Sequence, residues 1–170
     1  MARTVILRFR DLVIEDGGTI SEHLSLIQQY SEVWWGWWMR QYEVPPRALF
    51  QELAGMIEEK GFLEGFLFNT GATKLYATKI ASIRVAPPGC RLSTPDPERS
   101  PSYYHRAECP AWFLLRSIQE VPFSDYRFVY DSFPTRPELH GTLMQMLNVP
   151  VASLEQLRHL DTTLWVVQRD

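Results

Sequence analysis

Nowhere in the sequence do apolar residues run to the ~20 that a membrane-spanning helix needs, so no such helix is expected. The opening MARTVILRFRDL breaks its apolar residues with charge and offers no small-residue cleavage site. A signal peptide is therefore not expected, and a cytoplasmic location is. Cysteine is scarce: Cys90 and Cys109 give no disulfide framework and read as reduced thiols. The catalytic signatures G-x-S-x-G, P-loop, Rossmann glycine fingerprint and H-E-x-x-H are absent, and the histidines are dispersed. No enzyme and no cofactor are expected on this ground. Cys90, His105 and Cys109 share one segment but lack the tight pairs that tetrahedral zinc favours, so no metal is expected either. An excess of positive charge is also missing. A net charge of −3 argues against a protein that holds nucleic acid chiefly by neutralising phosphates. Locally the balance reverses: from Gly65 to Pro95 there is no acidic residue, while Lys74, Lys79, Arg84 and Arg91 are basic. That stretch reads either as one solvated face of a hairpin or as a phosphate-facing one.

What the chain does have is apolar content, 45% against 22% charged, enough for a packed core in one domain of 170 residues. Thr4–Val13 reads as a strand with Val5, Leu7 and Phe9 on one face and Ile6, Arg8 and Arg10 on the other. Thr19 with Glu22 forms a capping-box pattern ahead of a helix over Ile20–Tyr30. Glu32–Arg40 alternates as a strand, Val33, Trp35 and Trp37 opposing Trp34, Gly36 and Trp38. Pro45-Pro46 precedes a second helix, Arg47–Lys60, with Phe50, Leu53 and Ile57 inward and Gly61 as its stop. Phe62–Asn69 and Thr73–Val85 read as a hairpin whose turn takes its positive φ from Gly71. Residues 86–110 form a long proline-rich loop, a class that is functional or mobile in compact domains. Strands follow at Ala111–Val121 and Tyr126–Tyr130, then a helical turn at Leu143–Leu147. A short helix capped by Ser153 with Gln156 runs to Leu160, and a closing strand covers Leu164–Val167. This order predicts a single α+β domain over residues 1–170, built on a curled, mixed and largely antiparallel sheet with two to three flanking helices.

The tryptophans stand out: six in the chain, four of them in VWWGWW. Each indole carries an N–H that needs a partner when buried, so core packing alone seldom gathers so many. The pieces ILRFRDL, EVWWGWW, FLEGFLFNTGATKLYATKIASI and PAWFLLRSIQEV, spanning Thr4 to Val121, resemble in order and anchor residues the PUA-like superfamily, most of all its EVE, YTH and ASCH branches. LRHLDTTLWVV is similar to a closing strand. The resemblance implies a small pseudo-barrel with a concave pocket that binds RNA or DNA. In the EVE and YTH branches the pocket holds a flipped, often modified, base between aromatic side chains. It also implies a recognition part joined to an effector, as in bacterial antiviral-defence proteins. The chain departs from the EVE pattern in its doubled tryptophans and in lacking the basic surroundings of the first strand.

Several residues are candidates for such a pocket. Trp35, Trp37 and Trp38 offer stacking faces, and base–aromatic stacking is worth ~1–3 kcal/mol per base. The alternative is core, with alternation sending one tryptophan pair to each side. Arg40 and Arg10 present planar donor forks suited to a phosphate or base edge, or are ordinary surface charge. Asn69 and Thr70 could read a ligand edge or cap the hairpin. Tyr76, Tyr130 and Trp112 could wall the pocket. Asp131 and Ser132 could accept a base amino group or form a turn, and Asp161 adds a carboxylate before the last strand. The expected partner is DNA, RNA or a nucleotide carrying a modified base. Two other classes remain open: an enzyme acting on a nucleotide or RNA end through Asp131, His140 or His159, and a protein-interaction domain whose exposed tryptophans are hot spots.

Overall fold

The computed structural model describes residues 2–11, 15–139, 141 and 144–170. In chain order the elements are β1 (Ala2–Phe9), α1 (Gly18–Tyr30), β2 (Val33–Trp37), α2 (Arg47–Lys60), β3 (Leu63–Asn69) and β4 (Lys74–Val85). A two-residue ladder of β5 (Leu92–Ser93) and β6 (Glu108–Cys109) interrupts the long loop. Then come β7 (Ala111–Val121), β8 (Phe128–Ser132), α3 (Leu154–His159) and β9 (Leu164–Arg169). Of the turn expected at Leu143–Leu147, Met144–Met146 forms a single 3-10 turn, whereas Leu143 and His140 lie outside the described residues.

Seven strands form one mixed sheet in the order β2-β7-β4-β3-β1-β9-β8. Only β1 and β3 pair in parallel; every other neighbouring pair in this sheet is antiparallel. The sheet curls without closing. The edge strand β2 returns toward β1 and β9, where side chains replace a ladder: the Phe9 and Trp35 rings meet edge to face at 5.1 Å, and Trp37 Nε1 donates to Thr163 Oγ1 at 3.2 Å. Inside the curl Val5, Leu7, Trp35, Trp37, Phe50, Leu53, Phe113 and Val166 form the main core. A second cluster lies on the outer face around Phe66, Phe128, Leu157 and Trp165. This is the α+β curled sheet that the order of elements predicts, with three α-helices delimited among the described residues.

α2 begins after Pro46 and stops at Gly61, whose φ of 88° is the left-handed conformation glycine adopts without strain. α3 starts at Ser153, whose hydroxyl accepts from Gln156 N at 3.1 Å. Two local expectations are corrected. The Thr19–Glu22 capping box does not form: α1 already begins at Gly18, and the Asp11 carboxylate takes over, accepting from Gly17 N at 3.0 Å and Thr19 N at 3.2 Å. A carboxylate delivered by the end of β1 reaches donors that the local threonine, inside the helix, cannot. In the β3–β4 turn the positive φ falls on Thr73 (55°) and not on Gly71. Asn69 Oδ1 sets the first half of that turn by accepting from Gly71 N and Ala72 N at 3.0 and 3.2 Å.

The proline-rich loop is a packed layer. Tyr104, Cys109 and Trp112 bury Trp34 from the side opposite the main core. Trp112 Nε1 donates to Leu92 O at 2.9 Å, and Ser100 Oγ donates to Asp96 O at 2.7 Å. Gly36 faces this layer: a Cβ there would come within 2.9 Å of both Cys109 Sγ and Trp112 Cζ3. No helix among the described residues is long and apolar enough to cross a membrane.

Candidate nucleic-acid pocket

A pocket of about 360 Å³ opens at the seam where β2 approaches β1. One wall is the end of β1 and the residue after it, Arg8, Phe9 and Arg10; the other is Trp35 and Gly36 of β2 with the outgoing Trp38, Met39 and Arg40. Thr19 of α1, the Tyr103–Tyr104 pair of the long loop and Thr163 ahead of β9 complete it. Its size suits a small planar ligand, since binding pockets run from ~300 to 1,000 Å³.

The four tryptophans have separate fates. Trp38 is 53% exposed at the mouth, and Trp35 contributes an otherwise buried ring to the wall. Trp37 is 1% exposed, stands edge-on to Phe50 at 5.6 Å, and touches the pocket only through its bond to Thr163. Trp34 is sealed under the long loop. Alternation sends one tryptophan pair to each face of β2, yet three of the four are buried, because the loop covers the second face.

Beneath Trp35 lies His23, fully buried, its ring 4.6 Å from the indole. Nδ1 lies 2.7 Å from Thr19 O, which requires that nitrogen to carry the proton, and Nε2 has no partner among the described residues. Burial, softened by the carbonyls of Thr19 and Trp34, lowers its pKa to about 4, so the ring is neutral at pH 7. Burial pushes the neighbouring Tyr103 and Tyr104 phenols up, and both stay protonated. Tyr104 is fixed by its hydroxyl on Gly36 O at 3.3 Å and by Trp112 at 5.1 Å.

Arginines crowd the opposite side. Arg8 is held by backbone carbonyls, Nη1 to Leu160 O at 3.0 Å and to Thr162 O at 3.4 Å, and Nη2 to Arg158 O at 3.3 Å. Its guanidinium lies 5.9 Å from the Trp165 ring centroid. Burial first, then repulsion from Arg40, lowers the Arg8 pKa. Against partial burial, Tyr42 and Asp161 raise that of Arg40, to which Asp161 is ion-paired. Asp161 also pairs with Arg136 at 3.1 Å and accepts from Tyr42, whose hydroxyl contributes most to keeping its carboxyl below the usual range.

Behind this wall sits Glu43, 3% exposed, with carboxylate oxygens that accept from Thr163 N at 3.1 Å, Thr163 Oγ1 at 2.8 Å and Arg40 N at 3.1 Å. It ties the two pocket residues Arg40 and Thr163 together. Sequence reasoning passed over Arg8, Glu43, Thr163 and Tyr103. For Arg8 a signal existed, since it shares a strand face with Arg10; the others carry none.

Of the candidates from sequence, Trp35, Trp38, Arg40 and Arg10 therefore meet in one pocket, with Asp161 paired to Arg40 at its rim. Arg10 also borders a second, polar cleft of about 400 Å³ with Asn69, Tyr76, Asp11 and Lys74. There Asn69 caps the β3–β4 turn and donates Nδ2–H to Asp11 at 3.1 Å, while the Thr70 amide donates to Phe9 O at 3.0 Å and extends the pairing of β3 with β1. Asp131 is not part of the pocket. At the start of β1, Arg3 donates to it at 3.0 and 2.7 Å, and Gln168 adds a bond at 2.7 Å. Against the opposing effect of burial, these bonds lower its pKa. Ser132 ends β8 opposite Val166 of β9. Tyr130 is wholly buried, its hydroxyl donating to Gln156 at 2.9 Å, and Trp112 is core. His159 is exposed beside Glu155 at 3.3 Å. Cys90, His105 and Cys109 do not converge: Cys90 is exposed, His105 Nε2 sits on Ser100 O at 3.1 Å, and burial pushes the Cys109 thiol up to about 12.

The model of the family described as Pua-like matches residues 5–170. No curated protein and no solved structure matches the chain.

Proposed function

Because the chain belongs to the Pua-like family, whose domains bind RNA and other nucleic acids, we propose that the seam pocket receives a single planar base of a nucleic acid or nucleotide. The base, turned out of its strand, lies against Trp38 and the edge of Trp35. The observation that carries this reading is Trp38: a tryptophan 53% exposed at the mouth of a pocket that three arginines also line. Thr19 and Thr163 add polar groups to a mostly apolar wall, where the Thr163 hydroxyl, its proton already given to Glu43, can only accept. A modified base, as the EVE-like resemblance implies, is the finer form of the same reading. A sensing role beside a defence effector is its wider context.

The interaction-domain alternative is left with one exposed tryptophan, Trp38, joined by the half-exposed Tyr42 and Val44. Of the residues named for the catalytic alternative, Asp131 and His159 do not line the pocket, and His140 lies outside the described residues.

The test is a fluorescence titration with nucleotides and short oligonucleotides, modified and unmodified. Saturable quenching by one class, weakened roughly 5- to 150-fold in Trp38→Ala, is expected from the ~1–3 kcal/mol of a stacked base. No quenching across the panel, with Trp38 still open to acrylamide, refutes the proposal.

A further inference from the structure

Arg8 has a half-buried guanidinium and no carboxylate partner of its own among the described residues. A guanidinium has five N–H donors. Three go to the carbonyls of Leu160, Thr162 and Arg158, which leaves Nε–H and one Nη2–H. The carbonyls and the Trp165 ring fix the orientation of the group, so its free donors are set in place before any ligand arrives. Arg10, two residues on, lines the same pocket and makes no ion pair among the described residues. Arg40 completes the set from the opposite wall. Of the three, only Arg40 has an acidic partner, the half-exposed Asp161, and it shares that carboxylate with Arg136.

Like charges brought together at a half-buried site cost free energy unless an anion joins them. From this arrangement we infer that Arg8, Arg10 and Arg40 form a seat for the phosphate attached to the inserted base, so that the pocket takes nucleotides in preference to nucleosides. The inference rests on the proposed base pocket and names the ligand class that pocket selects. Asp161 acts as the resident anion, holding Arg40 at the mouth and competing with the arriving phosphate. The lowered pKa of Arg8 accords with this crowding, for burial and then Arg40 are its largest causes.

The experiment measures affinities of the intact chain, at low and high salt, for modified and unmodified nucleosides, their 5′-monophosphates, the matching dinucleotides and inorganic phosphate. The expected result is a monophosphate or dinucleotide held roughly tenfold or more above its nucleoside, since hydrogen bonds to charged groups are the strong ones. That ratio shrinks as salt rises. A dinucleotide favoured over the monophosphate identifies a phosphodiester within a strand as the occupant; the reverse identifies a terminal phosphate. Arg8→Gln and the exposed-site variant Arg10→Gln bring the ratio toward one, and Asp161→Asn increases it. Equal affinity for nucleoside and nucleotide in the wild type overturns the seat and leaves the base pocket standing. Binding of inorganic phosphate alone overturns the link between seat and base. Absence of binding by every probe removes both readings.

Discussion

Lowering the pH from 6.5 to 4 attacks His23 before it attacks the carboxylates. In the folded protein the imidazole is neutral, buried against Trp35, and its pKa is about 4; in the unfolded chain it returns to 6.5. The folded state therefore binds fewer protons than the unfolded state between those values, so stability rises with pH across that window. The contribution is complete above the unfolded value and is lost progressively as pH falls to the folded one. The difference of about 2.5 units, at 1.36 kcal/mol each, comes to about 3 kcal/mol. For a domain of this size that lowers the melting temperature by roughly 6–12 °C. Asp11, Asp131 and Asp161, whose pKa values are lowered, lose their contributions as pH falls through those lowered values, at the acid end of the titration. Urea unfolding followed by fluorescence at half-unit pH steps, on the wild type and on His23→Phe, separates the two. The variant keeps a ring against Trp35 and cannot ionise, so the difference between the two proteins should titrate between pH 6.5 and 4. Parallel curves would refute the argument and place the acid sensitivity elsewhere.

Three further outcomes follow from geometry. Trp37→Ala should cost about 3–5 kcal/mol in urea unfolding because it empties a core site, whereas Trp38→Ala should leave the midpoint nearly unchanged. Glu43→Ala leaves the Thr163 amide and hydroxyl and the Arg40 amide short of acceptors, and a loss of about 3 kcal/mol is expected by calorimetry. Gly36→Ala forces a methyl against Cys109 Sγ and Trp112; about 1–3 kcal/mol should be lost, partly recovered in the double variant with Cys109→Ala.

The helices and strands were legible because their periodicities are local. Phe50, Leu53 and Ile57 mark the inner face of α2 at helical spacing, and all three are buried where that spacing puts them. The pocket was half legible. Trp35, Trp38, Arg10 and Arg40 could be chosen on residue chemistry alone, but which tryptophans stay free depends on what covers each face of β2. That cover is Tyr104 and Cys109, about 70 residues further along the chain. The same reason hid Glu43, which lies in a short polar segment and acquires its role from Thr162 and Thr163 across the fold. Arg8 looked like any polar-face arginine until the curl brought the carbonyls of residues 158–162 around it. Asp131 misled in the opposite sense, because its partner Arg3 comes from the first strand.

The unclosed seam also bears on how this chain keeps to itself. A sheet edge with spare backbone groups is a template on which another molecule can add a strand, the common first step in aggregation. β2 is such an edge, apolar throughout and rich in aromatics. Gly36 O accepts from the Tyr104 hydroxyl, α1 packs across β2, and the Trp35 and Trp37 side chains are engaged by Phe9, His23 and Thr163 from within the same molecule. Loosening these contacts should free the edge, and damage to them should appear as self-association as well as weakened binding.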